Sequence, residues 1–374
     1  MYLKEMTLKN FRNYRDVNLV FSPQINVLIG ENAQGKTNLL EAIYVLAMAR
    51  SHRTNNEREL VNFAKDEALI QGTLERKLSK LKLELFLGKK GKKAKVNHLE
   101  QAKLSQYIGQ MNVILFAPED LALVKGSPAV RRKFIDMEFG QIDAHYLYNL
   151  SQYRVLLKQR NHYLKQLQLK KAKDLVLLEV LSDQIAAFGA EIIAKRIIFL
   201  DELEKYAQGV QAQITGQKEE LKFNYDTSVE NIYEKDVKQL YTDLKKLYET
   251  NQNKEIFQGS TLYGPHRDDV QFLINKKNVQ VFGSQGQQRT TALAVKLAEI
   301  DVMKNETGEY PILLLDDVLS ELDGARQTQL LRAIQDRVQT FLTTPSMSEV
   351  TRKLIKDPKV FRIEAGNIKN EEFR

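Results

Sequence analysis

The eight residues "GENAQGKT", Gly30 to Thr37, constrain this chain more than any other stretch. They satisfy G-x-x-x-x-G-K-[ST], follow the apolar run "INVLI", and lead into "NLLEAIYVLAMAR", whose apolar residues recur at helical spacing. Strand, glycine-rich turn and helix in that order predict a phosphate-binding loop. Gly30 and Gly35 let backbone N–H groups wrap phosphate oxygens at a helix N-terminus, with Glu31, Asn32, Ala33 and Gln34 completing the cradle. Lys36 is expected to reach the β- and γ-phosphates of ATP, and the Thr37 hydroxyl to ligate Mg²⁺.

Such a loop needs a carboxylate beside it, and "ILLLDDVLSELD" (Ile312 to Asp323) supplies one. A continuous apolar run ending in acids reads as a buried parallel strand. Asp316 is the expected holder of a magnesium-bound water, and a second metal-site residue after Thr37. Asp317 is placed to orient the attacking water. It is one methylene shorter than the glutamate usual in that role, which predicts slow turnover, because a base displaced by about 1 Å can lose ~10²-fold in rate.

The phosphate loop comes early and the acidic strand late, so the core is split in sequence. Between them, from about Arg131 to Thr250, Leu, Ile and Ala recur at helical spacing, while the charge pattern is too irregular for a long coiled coil. "TGQKEELKFNYDTSVEN" interrupts the helices with polar and turn residues. Strands are expected at "VNLVFS", "NVILFA", "VQTFLTT" and "VFRIEA", and a hairpin in "KLKLELFLGKKGKKAKVNHL". The fold class is therefore α/β: a P-loop head of mixed sheet and helices, split in sequence, with an inserted, mainly helical second lobe. Residues 1–125 form the first part of the head, 126–255 the inserted lobe and 256–374 the second part of the head.

Composition narrows the partners. A net charge of +8 over 374 residues favours an acidic one such as nucleic acid. The basic candidates are the hairpin lysines Lys89, Lys90, Lys92, Lys93 and Lys95, the cluster Arg131, Arg132 and Lys133, and the run Lys170, Lys171 and Lys173. With no cysteine and five scattered histidines, disulfides, thiolate metal sites and a cysteine nucleophile are excluded. There is no uninterrupted apolar h-region and no window near ~18 apolar residues, so a cytoplasmic location without membrane contact is expected. In "GPHRDD" (Gly264 to Asp269), His266 reads as a turn residue and Arg267 as a partner of Asp268 or Asp269.

A second glycine turn, "SQGQQ" (Ser284 to Gln288), opens a helix-forming segment far from the first. Phosphate loop, Ser-x-Gly-Gln turn, acidic strand and "SELD" follow one another in an order that resembles the ABC-type ATPases. There the turn is the signature motif and "SELD" (Ser320 to Asp323) the D-loop. The resemblance implies that Ser284, Gly286 and Gln287 cap the γ-phosphate held by another subunit's phosphate loop, with Asp323 nearby. A serine hydroxyl and a glycine N–H at a helix N-terminus suit an anion.

"LKNFRNY", "PEDLALVKGSPAVRRKFID" (Pro118 to Asp136), "GPHRDD" and "LLLDDVLSELDGARQTQL" (Leu313 to Leu330) narrow this further. Together they resemble the RecF family of bacterial recombination and repair proteins, in the SMC-like branch of the ABC-type ATPases. The resemblance implies an ATP-dependent homodimer closing on double-stranded DNA, especially at junctions of single- and double-stranded DNA, and released by hydrolysis. It implies RecO and RecR as partners in loading RecA, and it implies that Arg12 approaches the nucleotide. Two positions depart from the ABC pattern: no clear glutamine follows "NVILFA", where Glu119 and Asp120 stand, and Thr343 and Thr344 occupy the place of a switch histidine. Alternative readings are a nucleotide-gated DNA clamp without significant turnover, a P-loop kinase and a transporter motor subunit.

Overall fold

A computed structural model describes residues 1–89, 91–346 and 355–371. It opens with strands β1 (Tyr2–Phe11), β2 (Tyr14–Val20) and β3 (Ile25–Ile29), then helix α1 (Lys36–Met48). Strands β4 (Glu67–Glu75), β5 (Lys80–Gly88), β6 (Gly91–Val96) and β7 (Leu99–Glu100) lead to α2 (Leu104–Tyr107) and β8 (Val113–Phe116). Helices α3 (Leu121–Lys125), α4 (Pro128–Ile142), α5 (Ala144–Gln168) and α6 (Leu175–Thr215) follow. Strand β9 (Leu221–Asp226), helices α7 (Val237–Thr250) and α8 (Gln252–Gln258), strands β10 (Asp269–Ile274) and β11 (Lys277–Asn278), and helix α9 (Val279–Phe282) come next. The chain closes with α10 (Gln285–Thr307), β12 (Ile312–Asp316), α11 (Val318–Glu321), α12 (Gly324–Ile334), β13 (Thr340–Thr344), β14 (Lys359–Glu364) and β15 (Asn367–Glu371).

Two compact units result: Met1–Asp120 with Lys296–Arg374, and Leu121–Val295. These limits differ from the sequence-based ones at 125/126 and 255/256. The larger difference has a local cause. Strand β10 pairs antiparallel with β9, and Gln287 Nε2 donates to Glu219 Oε1 at 3.0 Å, so β10 and the first part of α10 pack with the helical unit. Strand β9 itself lies in the stretch read as an interruption of the helices; six residues of weak alternation do not reveal a partner more than forty residues ahead.

In the first unit, a six-stranded sheet has the order β15-β14-β3-β13-β12-β8, parallel throughout except for β15. A second, antiparallel sheet has the order β2-β1-β4-β5-β6-β7. Helix α1 touches strands of both sheets, and Leu39, Leu40, Ile43, Val45 and Leu46 are all fully buried. A helix covered on every side has no solvent face, which explains why apolar residues fill α1 after its first turn apart from Glu41, whose carboxylate is hydrogen-bonded. Gln339 joins the sheets: its side chain accepts from Leu3 N at 2.7 Å and donates to Leu3 O at 2.8 Å.

The second unit is built on the 25-residue α5 and the 41-residue α6, the latter about 60 Å long. Buried arginines tie its helices together. Arg160, 0% exposed, binds Glu255 at 2.6 Å, Ser182 at 3.0 Å and Thr261 at 2.8 Å, and lies over the Tyr248 ring. Arg131 is buried too and grips Asp269 through two bonds of 2.6 and 2.8 Å, so it is withdrawn from the basic cluster read as a DNA contact. Asp268 accepts from Tyr225 OH at 2.6 Å, leaving Arg267 to donate to the Thr261 carbonyl instead of pairing with either aspartate.

His266 shares that network. Its Nε2 lies 3.2 Å from Thr261 O, an acceptor, so Nε2 carries the proton and Nδ1 accepts from Tyr153 OH at 2.6 Å. Burial pushes its pKa down to about 4, against the Thr261 carbonyl and with repulsion from Arg267 and Arg132. Between about pH 6.5 and 4 the unfolded chain binds a proton that the folded chain refuses, so stability falls as pH falls through that window. Urea unfolding is expected to show about 2 kcal/mol less stability at pH 5 than at pH 7.5 from this residue, a difference that His266→Asn removes.

Candidate functional site

The loop from Gly30 to Thr37 runs from the end of β3 into α1. A Cβ on Gly30 would come within 2.4 Å of the Ile363 carbonyl oxygen, and Gly35 caps α1 at φ 121°, where a side chain is strained. The loop is braced from behind. Asn13 Nδ2 donates to Gln34 O at 3.1 Å, Tyr14 OH to Gly35 O at 2.9 Å, and Gly366 N to Gln34 O at 3.0 Å. The β1–β2 and β14–β15 turns thus hold its shape with bonds to its own carbonyls, leaving the N–H groups at the head of α1 for an anion.

Lys36 is only 8% exposed, and its Nζ donates to Gly30 O at 2.6 Å and Glu31 O at 2.8 Å. Burial lowers its pKa; the charges of Asp317 and Asp316 oppose this. Thr37 Oγ1 donates to Asp316 Oδ1 at 3.0 Å across 279 residues of sequence. A hydroxyl and a carboxylate oxygen so placed suit a small hard cation that keeps most of its own waters. Lys36, Thr37, Asp316 and Asp317 are therefore brought together as the sequence predicts.

Thr343 completes the arrangement. Strands β12 and β13 are parallel with Asp316 opposite Thr343. The Thr343 hydroxyl donates to Asp316 Oδ1 at 2.8 Å and accepts from Asp317 N at 2.9 Å, orienting the carboxylate and the turn that follows. Asp317 has φ 53°, a left-handed conformation that aspartate tolerates better than most residues, and its carboxylate makes no capping bond to α11. The residue in the switch position is thus a positioning group for both aspartates.

Arg12 has a different immediate partner from the one expected. Its guanidinium makes two bonds, 2.9 and 2.8 Å, to Glu41, a fully buried residue one turn beyond Thr37 on α1. Burial acts to raise the Glu41 pKa, but hydrogen bonds from Arg12 and Ser51 outweigh it and hold the carboxyl below its ordinary range. Arg53 links the same carboxylate at 3.4 Å and Asn38 at 2.9 Å. Glu41, Ser51 and Arg53 carry no motif, and only the position of Glu41 one turn past the loop signals them.

After β8, Asp120 folds back to accept from Ala117 N at 2.8 Å, and burial raises its pKa, so Glu119 is the exposed acid of the pair. Asp323 caps α12, accepting from Arg326 N at 2.9 Å, and Ser320 Oγ donates to Asp317 O at 2.7 Å. In the second unit, Ser284 and Gln287 form a reciprocal cap on α10: Gln287 N donates to Ser284 Oγ at 3.2 Å and Ser284 N to Gln287 Oε1 at 2.9 Å. Beside them Val281 and Phe282 are 67% and 72% exposed.

The basic candidates separate. Lys89 pairs with Asp66 at 2.8 Å, Lys92 with Glu57 at 2.5 Å and Lys93 with Glu100 at 3.8 Å, while Lys90 lies outside the described residues. Lys170, Lys171 and Lys173 are exposed without an acidic partner among the described residues.

The profile of the RecF/RecN/SMC N terminal domain matches residues 2–367. The chain is 66% identical to the DNA replication and repair protein RecF of Ligilactobacillus salivarius (strain UCC118) over 99% of this chain and 98% of that one. It is 63% identical to the RecF of Latilactobacillus sakei subsp. sakei (strain 23K) over the whole of both. A solved structure of the recombination mediator protein RecF-ATP in the RecFOR pathway superposes with a TM-score of 0.91 at 34% identity, covering 99% of this chain and 98% of that one. An SMC head domain from Pyrococcus furiosus shares the fold at a TM-score of 0.55 and 15% identity, covering 99% of this chain and 96% of that one. With the family profile matched over residues 2–367 and relatives 66% and 63% identical along nearly the whole chain, the chain belongs to the RecF family, on the SMC-like branch of the ABC-type ATPases.

Proposed function

We propose that this chain is an ATP-binding protein of DNA repair and recombination, in which ATP closes a homodimer on double-stranded DNA near junctions with single strands and slow hydrolysis releases it. The observation that carries this reading is the joined Thr37–Asp316–Thr343 arrangement beside a braced phosphate loop. ATP would be held by the loop residues 30–37 and Lys36, and Mg²⁺ by Thr37 and Asp316. When bound, the cation supplies charge neutralisation at the β- and γ-phosphates. Thr343 keeps Asp316 turned toward Thr37, and Asp317 orients the attacking water from a short side chain, which supports slow turnover. Arg12 acts on the nucleotide from its seat on Glu41, which fixes its guanidinium next to the first turn of α1.

Closure in trans rests on the turn at Ser284. Its exposed helix N-terminus, flanked by exposed Val281 and Phe282, fits a surface covered by a second copy, with Gly286, Gln287 and Asp323 completing the nucleotide's enclosure. The relative in a RecFOR pathway supports RecO and RecR as partners, and the role in loading RecA follows from the family resemblance. Among the described residues no helix is long and apolar enough to cross a membrane, which fits the cytoplasmic location proposed. The shortened Asp317 also favours a second reading, a nucleotide-gated clamp in which turnover is too slow to matter.

Ser284→Arg tests the first reading. The variant is expected to bind ATP within about twofold of wild type but to lose ATP-dependent dimerisation in sedimentation and at least ~10-fold in hydrolysis, because a cation and a larger side chain replace an anion-facing hydroxyl. Normal dimerisation by this variant would sink the trans arrangement. Single-turnover hydrolysis separates a slow ATPase from a clamp.

A further inference from the structure

The second unit contains a basic crevice that the nucleotide site does not use. Between α4 and α5 lies a cavity of about 250 Å³, ample for a phosphate group with bridging waters. Arg132, Lys133 and Asp136 face it from α4, Arg154 from α5, Arg196 from α6, and His266 from the loop before β10. On α4 Ala129, Arg132, Lys133 and Asp136 recur at three- and four-residue spacing, as do Leu150, Tyr153, Arg154 and Leu157 on α5, so each helix presents one stripe to the crevice.

The charges do not balance. Among the described residues Asp136 is the one acid lining the cavity, and it is engaged by Arg196 at 2.8 Å, Arg154 at 2.9 Å and Tyr146 OH at 2.6 Å. Asp268 lies 3.9 Å from Arg196 and is pushed toward its neutral form by burial. Arg132 gives one N–H to the Asp268 carbonyl at 2.6 Å, and Lys133, exposed, has no acidic partner among the described residues. Burial first, and then repulsion from Arg196, depresses the basicity of Arg132. His266, with its Nδ1 and Nε2 both committed, stays neutral and adds no charge. Four cations, Arg132, Lys133, Arg154 and Arg196, therefore line one space that one carboxylate among the described residues, Asp136, answers.

We propose that this crevice is a phosphate-binding site, in which Arg132, Lys133 and Arg154 hold the oxygens of a nucleic-acid backbone phosphate or of a free phosphate group. Two guanidinium groups and an exposed ammonium from two helices suit the several acceptor oxygens of a phosphate better than a single planar carboxylate. The duplex part of the proposal rests on the DNA-binding reading above; the phosphate part does not.

The test uses Lys133→Gln with Arg154→Gln in the full chain, leaving Arg196 to satisfy Asp136. Two readouts are taken with a saturating non-hydrolysable ATP analogue, so that the P-loop is filled up to its γ-phosphate position and the duplex-binding state is populated. One is thermal stabilisation by inorganic phosphate against chloride at equal ionic strength. The other is duplex binding by fluorescence anisotropy at several salt concentrations. Wild type should be stabilised by phosphate and the variant should need roughly tenfold more of it. The slope of log affinity against log salt should fall by about 1 for each cation removed that meets the duplex. Loss in both readouts supports a site open to either source, loss in the duplex alone assigns backbone phosphate, and loss with phosphate alone assigns a free group. No change in either, with the fold intact, overturns the proposal. Lys133→Glu, a single change at an exposed position, carries the same test if the double variant melts early. Wild-type duplex affinity indifferent to ATP would overturn the ATP-gated reading while leaving the phosphate readout to decide this one.

Discussion

Replacing Lys36 with alanine is expected to lower single-turnover ATP hydrolysis by roughly 10²- to 10³-fold, the cost of removing one preorganised charge from a developing anion. The size of the effect follows from the setting of the ammonium. Its Nζ is nearly out of water and anchored by two loop carbonyls at 2.6 and 2.8 Å, so it is placed before the nucleotide arrives and loses little freedom in meeting it. The neighbouring charges of Asp316 and Asp317 oppose the lowering of its pKa by burial. Alanine leaves the head of α1 and the Thr37–Asp316 pair in place, so thermal unfolding without nucleotide should change little. Turnover within threefold of wild type, with the fold intact, would remove Lys36 from the site.

The largest stability loss is expected from Glu255→Ala. Arg160 and Glu255 are both 0% exposed and meet at 2.6 Å, and Glu255 Oε1 also accepts from Leu262 N at 2.8 Å. Removing the carboxylate strands a guanidinium in the packed centre of the second unit, which costs about 3–5 kcal/mol. Urea titration followed by tyrosine fluorescence and circular dichroism measures it. Arg160→Met with Glu255→Leu should recover most of the loss, because the penalty comes from an unpaired buried charge more than from a missing attraction. A loss below about 1 kcal/mol in the single variant would contradict this account.

Much of the candidate nucleotide site is legible in the sequence, because its parts are short contiguous pieces of backbone. A strand, a turn carrying Gly30, Gly35, Lys36 and Thr37 at their spacing, and a helix, in that order, are the pattern of a phosphate loop. An apolar run ending in Asp316 carries its carboxylate to the end of a parallel strand. The hairpin of β5 and β6 and the strands β12, β13 and β14 were legible for the same reason. Strand β9 was not, since its alternation is weak and its partner β10 is distant. Nor was the burial of Arg131, whose sequence neighbours Arg132 and Lys133 suggest a solvated basic patch until Asp269 is seen to hold it.

By itself, the sequence determined where phosphate, cation and helix N-termini can be, through φ > 0 at Gly35, a hydroxyl at Thr37 and a carboxylate at Asp316. Only the tertiary structure decided which side chains hold those groups in place. Thr343 turns Asp316 from 27 residues away, Asn13 and Gly366 brace the loop from opposite ends of the chain, and Glu41 captures Arg12. The physical reason is that backbone conformation is set by neighbours in sequence, whereas the partner of a buried polar group is set by whichever donor or acceptor packing brings within about 3 Å.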